Sequence, residues 1–191
     1  MRIRLFVLAV VAGVLGSSAL AGAAVAETAS VTLTAGTLTI TTYPFSFSNT
    51  AVTGAAQSIN ASPGTAWQIV DARGTGAAWT ATISSTALTS AAGSVENSAR
   101  TIAVGQMSTV DGSVTAGTGA DATTNITTSG VTLTGSAQTF VASSGTNKGS
   151  YTFTPTMTLA IPANAYRSNY AGTVGGSALN PYTATLTVSI S

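Results

Sequence analysis

The chain contains no cysteine and no histidine. Without these residues there is no thiol nucleophile, no Ser-His-Asp triad and no ordinary zinc site. The lack of cysteine does not argue against secretion, because a domain of this length can bury a sizeable core without disulfides. These absences exclude the commonest hydrolase and metalloenzyme classes.

Charged residues are also scarce, with six basic and five acidic side chains among 191 residues. A glycosidase needs two carboxylates at its site. The available acids are spread widely along the sequence, at Glu27, Asp71, Glu96, Asp111 and Asp121. We therefore expect no catalytic residues, no enzymatic activity and no cofactor.

The stretch from Asp111 to Asp121 is a candidate calcium site. Asp111 and Asp121 lie within a stretch rich in glycine and threonine, Asp111 to Ser129, which is typical of a long loop. Their spacing does not match an EF-hand loop, and the acids are too few for a tight site. The sequence therefore predicts no metal ligands.

The N-terminus has the pattern of a cleaved signal peptide over residues 1–26. Arg2 and Arg4 precede an apolar stretch, and Ala24-Val25-Ala26 is a small-x-small cleavage site. We expect a secreted domain of residues 27–191 with no membrane span after cleavage. That domain has four bases against five acids, so nucleic acid is not an expected partner.

Apolar residues alternate with threonine and serine along most of the remaining chain. The alternation is clear at Val31–Thr34, Leu38–Thr41, Tyr151–Ile161 and Tyr182–Ile190, and no helical period appears after the N-terminus. Tyr43, Phe45 and Phe47 extend the pattern. Many short strands separated by turn residues predict an all-β fold. We expect a single antiparallel β-sandwich with Greek-key-like connections.

The two tryptophans lie on opposite sides of one predicted turn. Trp67 and Trp79 flank Arg73-Gly74-Thr75-Gly76, whose glycines suit positive backbone φ angles. This pattern predicts a hairpin of two strands that fold back on each other. Asp71 and Arg73 are two residues apart, so we expect their side chains to pair locally.

The stretch from Asp71 to Trp79 resembles the first signature of the WxL domain, a cell-surface module of Gram-positive bacteria. Tyr182 to Ile190 resembles the second signature of that family. The sequence departs from the family pattern where Ala81 replaces leucine, Val188 replaces tryptophan and Ile190 replaces leucine. The resemblance covers most of the chain after the signal peptide.

The resemblance implies a non-catalytic surface protein that associates non-covalently with the cell wall, through peptidoglycan or an attached polymer. The candidate binding residues are Trp67, Asp71, Arg73, Trp79, Tyr182 and Leu186. For the tryptophans two interpretations stay open, a core position or a stacking surface for sugar rings. Asp71 and Arg73 are candidates for a structural turn clamp as well as for a ligand contact.

An alternative function is a structural subunit of a surface layer, fibre or surface protein complex. Threonine-rich strands with few charges favour self-association, because edge strands without charged residues pair readily. Tyr166, Arg167 and Tyr170 in a polar loop form a further contact candidate, since arginine and tyrosine are common at interfaces.

Overall fold

Alternating apolar and hydroxyl residues form fourteen strands in the part of the chain that the computed structural model describes, residues 29–110 and 112–191. The strands are β1 (Leu38–Thr41), β2 (Gln57–Ala61), β3 (Trp67–Asp71), β4 (Trp79–Ser85), β5 (Leu88–Ser90), β6 (Arg100–Ile102), β7 (Met107–Val110), β8 (Thr115–Ala116), β9 (Ile126–Thr128), β10 (Val131–Thr132), β11 (Gln138–Ser143), β12 (Gly149–Phe153), β13 (Thr156–Ile161) and β14 (Leu186–Ile190). Short 3₁₀ helices span Val104–Gln106 and Thr123–Asn125. The signal peptide predicted at residues 1–26 lies outside the described residues.

The strands form three sheets of four strands and one of two, and every strand pair is antiparallel. The strand orders are β1-β3-β12-β8, β10-β7-β13-β2, β14-β4-β11-β9 and β5-β6. The sheets pack face to face in the manner of a sandwich. The prediction of an all-β antiparallel sandwich is confirmed.

The predicted hairpin between the two tryptophans is wrong. β3 pairs with β1 and β12, whereas β4 pairs with β11 and β14. Each of the two strands has a neighbour on both sides and is therefore a central strand of its own sheet. Both strands bury every second residue in the same core. The turn between them is therefore a crossing from one sheet to another.

Two further strand predictions are wrong, and one predicted loop contains strands. Val31–Thr34 forms no strand, and neither does the stretch from Tyr43 to Phe47. Part of the loop expected over 111–129 instead pairs as β8 and β9. Alternation alone cannot identify a strand, because a strand also needs a neighbouring edge to pair with.

Trp67 is the centre of an aromatic cluster in the core. Its ring lies 5.5 Å from that of Phe45 and about as far from two other phenylalanines, at 6.1 Å from Phe140 and 6.0 Å from Phe153, all in edge-on arrangements. Such geometry suits the charge distribution of aromatic rings. Residues Thr34–Ser191 form one compact unit around this core.

No helix among residues 29–110 and 112–191 combines the length and the hydrophobicity that crossing a bilayer requires.

Candidate functional site

Both tryptophans of the predicted site are core residues, with exposed fractions of 1% for Trp67 and 2% for Trp79. The Trp67 Nε1–H donates a hydrogen bond to the Tyr43 carbonyl oxygen at 2.9 Å, whereas the buried Nε1–H of Trp79 has no partner among the residues that the structure describes. Neither indole presents a face to solvent. Of the two interpretations that the sequence leaves open for these rings, the structure therefore shows the core position for both.

Asp71 and Arg73 form the predicted turn clamp. The Arg73 Nε–H and Nη2–H donate to the two carboxylate oxygens at 3.0 and 2.8 Å, and the Arg73 backbone N–H donates to Oδ1 at 3.1 Å. Arg73 also donates to the Ala77 carbonyl oxygen across the turn. The hydrogen bond from the Arg73 side chain is the main reason that the pKa of Asp71 lies below its ordinary value.

Two other loops lie beside the turn clamp, and their polar groups are hydrogen-bonded or ion-paired. Thr146 donates its backbone N–H to the carbonyl oxygen of Gly76, a glycine whose φ of 66° suits the turn. Lys148 pairs with Asp121 at 2.7 Å. Asp121 is thus held by a lysine, and no group of acidic side chains suited to a metal ion occurs among the described residues.

The structure brings Tyr182 and Leu186 to a groove with a volume of about 690 Å³, and Trp67 contributes to its floor. Three of the six predicted site residues thus share one cavity. The other three, Asp71, Arg73 and Trp79, do not line it. The two halves of the predicted site are therefore separate in space.

A second surface feature, which we call the arginine–tyrosine patch, consists of Glu96, Arg100, Tyr166, Arg167 and Tyr170. Glu96 accepts hydrogen bonds from both guanidinium groups and from the Tyr170 backbone N–H. Arg100 lies 4.7 Å from the centre of the Tyr166 ring, and Arg167 lies 4.2 Å from the centre of the Tyr170 ring. Cation–π contacts of this kind fix a guanidinium over a ring.

The patch rests on a buried polar support. Asn169 is completely buried and donates its side-chain amide to the carbonyl oxygens of Ala91 and Ser98. Its backbone N–H donates to the hydroxyl of Ser90. The Tyr182 hydroxyl donates to the Tyr166 carbonyl oxygen, which ties the patch to the groove. These bonds hold the tyrosine loop in one conformation, and such preorganisation favours binding.

The patch contains the unbalanced positive charge of the described side chains. Elsewhere each described acid faces one base, as in the pairs Asp71–Arg73 and Asp121–Lys148. In the patch, one carboxylate faces two guanidinium groups. The Tyr166 ring beside them is 66% exposed. The patch can therefore offer an aromatic face and a cation to the same ligand.

Sequence reasoning found only part of this patch. Tyr166, Arg167 and Tyr170 lie in the loop that was expected to make contacts, but Glu96 and Arg100 come from a segment about 70 residues earlier. Glu96 and Arg100 pair with each other across four residues, but the contacts that join them to Arg167 span about 70 residues and leave no local pattern in the sequence.

Replacing Gly93 by alanine is expected to disturb the patch without unfolding the core. A Cβ atom at this position would overlap the carbonyl oxygen of Tyr170, so the two loops must move apart. We expect the variant to lose the Arg167–Tyr170 stacking, and the near-ultraviolet circular dichroism of tyrosine would measure this change. We also expect it to unfold at a slightly lower temperature. An unchanged tyrosine signal would contradict this close packing.

Stability is expected to be nearly constant from about pH 5 to 8 and to fall in acid, since the chain has no histidine to titrate in that range. Arg73, Arg167 and Lys148 lower the pKa values of Asp71, Glu96 and Asp121, respectively. A lowered folded-state pKa contributes stability above the unfolded value of about 4. That contribution is lost as the pH falls through the folded value. Urea unfolding across this range would show it, and a stability maximum below pH 4 would contradict it.

No protein-family model matches the chain, and no curated protein or solved structure shows significant similarity to it.

Proposed function

We propose that the protein is a secreted, non-catalytic surface protein of the WxL type that binds the cell wall through the arginine–tyrosine patch. The observation that supports this site best is the exposed Tyr166 ring next to the unbalanced guanidinium charge. The two signature stretches then have a structural role, because Trp79 and Asp71 are buried. The proposed location is the cell surface.

The chemistry of the patch suits peptidoglycan. An exposed aromatic ring can stack on the apolar face of a sugar. A guanidinium group can bind the carboxylates of the peptide stems through charge-assisted hydrogen bonds. Because the patch has two bases and one acid, it keeps one positive charge for such a ligand. Binding of a long polyanion would need more positive charge than the single net charge of this patch.

The state of the carboxylates supports a role without catalysis. Asp71, Glu96 and Asp121 are each ion-paired, and the neighbouring bases lower the pKa of each. A general acid at neutral pH needs a raised pKa instead. None of these three groups is suited to protonate a leaving group.

Co-sedimentation of residues 27–191 with purified Gram-positive cell walls tests this proposal. We expect the native protein to sediment and Tyr166→Ala to bind about tenfold more weakly, which is a typical loss for a central interface tyrosine. Arg100→Gln should also weaken binding, because it removes the unbalanced charge and leaves the Glu96–Arg167 pair in place. Tyr166 is exposed and Arg100 is a quarter exposed, and neither belongs to the hydrophobic core, so the variants should fold.

Tyr43→Ala provides the matched control. Tyr43 is also an exposed tyrosine, at 40%, but it lines the groove and is not part of the patch. We expect this variant to bind walls as the native protein does. A native protein that does not sediment would overturn wall binding. Equal losses in the two tyrosine variants would overturn the choice of the patch.

A further inference from the structure

The groove opens the sandwich along one side. Its walls are the segment from Thr42 to Phe47 and the segment from Tyr182 to Val188. Its floor consists of core side chains, namely Trp67, Leu88, Met107 and Met157. None of the lining residues is charged. The groove is therefore a place where further apolar side chains could complete the core.

One wall of the groove is β14, whose outer edge is open in the sense that it carries no strand hydrogen bonds, although β1 lies close to it. Among the described strands β14 pairs with β4 alone. Ser191 exchanges both backbone hydrogen bonds with Thr80, and bonded pairs alternate with non-bonded pairs in an antiparallel ladder. The backbone groups of Leu186, Val188 and Ile190 therefore point away from β4. Within the described residues these groups have no hydrogen-bond partner.

The chain also contains a segment with the properties of a strand that has no sheet. Ser30-Val31-Thr32-Leu33-Thr34 alternates apolar and hydroxyl residues. Val31 is 83% exposed and Leu33 is 89% exposed, the highest values among the large apolar side chains described. The backbone of this segment makes no hydrogen bond within residues 29–110 and 112–191.

We propose that residues 30–34 of one molecule add as a strand to the open edge of β14 in a second molecule, with Val31 and Leu33 in the groove. Addition of a strand satisfies the free backbone groups, and the alternate side chains fill the cavity. The donor segment and the groove are both uncharged, and neither β14 nor the segment has a lysine, glutamate or proline that would block pairing.

The proposed contact joins two different surfaces, so one contact leaves a free donor segment and a free groove at the two ends of the pair. Each molecule that receives a strand still has its own segment to donate, and the same contact can repeat from one copy to the next. The expected product is a linear assembly whose length grows with protein concentration. The arginine–tyrosine patch takes no part in this contact, so the inference does not depend on wall binding.

Sedimentation velocity of residues 27–191 over a hundredfold range of concentration tests the proposal. We expect species larger than a monomer that lengthen with concentration. The double variant V31D/L33D should remain monomeric, because it would place charge in an apolar groove. The matched control T32D/T34D carries the same charges on the opposite face of the same segment, and we expect it to assemble.

Three results would overturn the proposal. They are a native protein that stays monomeric at every concentration, a V31D/L33D variant that assembles like the native protein, and a T32D/T34D control that loses assembly as completely as V31D/L33D. The first would also be the result if the segment entered the groove of its own molecule.

A synthetic peptide of residues 29–35 tests the acceptor surface directly. Added to the monomeric V31D/L33D protein, it should shift the backbone amide resonances of Leu186, Val188 and Ile190. The variant Tyr43→Arg, which places a charge at the mouth of the groove, should weaken this binding at least tenfold. Tyr166→Ala should leave it unchanged. Absence of shifts along β14 would overturn the proposed acceptor edge.

Discussion

Replacing Trp79 by alanine is expected to lower the free energy of unfolding by about 3–5 kcal/mol, the usual loss for a buried tryptophan. The ring is 2% exposed and belongs to the same core as Ala81 and Ile83. Truncation removes its apolar contacts and leaves a cavity that the sheets cannot fill. Urea unfolding followed by circular dichroism would measure the loss. A loss below about 1 kcal/mol would contradict the core position, because exposed sites are usually that tolerant.

Phenylalanine variants separate the two tryptophans. Trp79→Phe removes a buried N–H that has no hydrogen-bond partner in the described part of the chain, which offsets part of the lost packing. Trp67→Phe removes the hydrogen bond to Tyr43, so it also loosens the segment that forms one wall of the groove. We therefore expect Trp67→Phe to be the more destabilising of the two. The opposite order would contradict these hydrogen-bond assignments.

Replacing Asp71 by alanine is expected to lower the free energy of unfolding by about 2–3 kcal/mol, the range for hydrogen bonds to a buried charged group. The change removes three hydrogen bonds that fix the turn between β3 and β4. The loss of stability should be smaller than for a fully buried ion pair, because the Arg73 side chain is a quarter exposed and its guanidinium can be hydrated when the carboxylate is removed. Chemical denaturation at pH 7 is the measurement. A neutral effect would contradict the clamp.

Arg73→Ala should be more damaging than Asp71→Ala at neutral pH, because it leaves a buried carboxylate without its cation. Without the arginine side chain, Asp71 loses the hydrogen bond that lowers its folded-state pKa most, while burial still acts to raise that pKa. Arg73→Ala should therefore lose less stability than the native protein as the pH falls towards about 4. The double variant has no carboxylate here, so this site should make no contribution to its pH dependence. An Arg73→Ala protein that loses stability in acid as the native protein does would contradict the proposed role of the pair.

The sequence predicted the fold class because alternation is a local property. The period of two in Leu38–Thr41, Tyr151–Ile161 and the C-terminal stretch appears in the structure as β1, parts of β12 and β13, and β14. The Asp71–Arg73 clamp was predictable for the same reason, since both partners lie within three residues. Such features need no knowledge of the rest of the chain.

Strand pairing depends on distant segments, and a local pattern of alternation does not predict which strands become neighbours. The tryptophan-bearing strand β3 pairs with Leu38–Thr41 on one side and with Gly149–Phe153 on the other. A glycine-containing turn suits a crossing between sheets as well as it suits a hairpin. The arginine–tyrosine patch also depends on distant segments, because Glu96 and Arg167 are hydrogen-bonded although they lie 71 residues apart in the sequence.

Burial explains why a stretch that resembles a family signature need not be a binding surface. Trp79 and Asp71 lie in the stretch that resembles the WxL signature, yet both are inaccessible to a ligand. Residues that fix a core and a turn define a fold, while the loops that it carries remain free to bind. In our proposal, the wall contact therefore lies in the loop from Tyr166 to Tyr170 and not in the signature itself.

The most direct test of the proposed wall contact is hydrogen–deuterium exchange with and without purified Gram-positive cell walls, because exchange reports local protection along the chain. We expect the loops of residues 91–99 and 164–180 to exchange more slowly when walls are present, with no change at residues 71–79. Slower exchange confined to residues 71–79, or no change at any site while the protein co-sediments with walls, would contradict binding through the arginine–tyrosine patch.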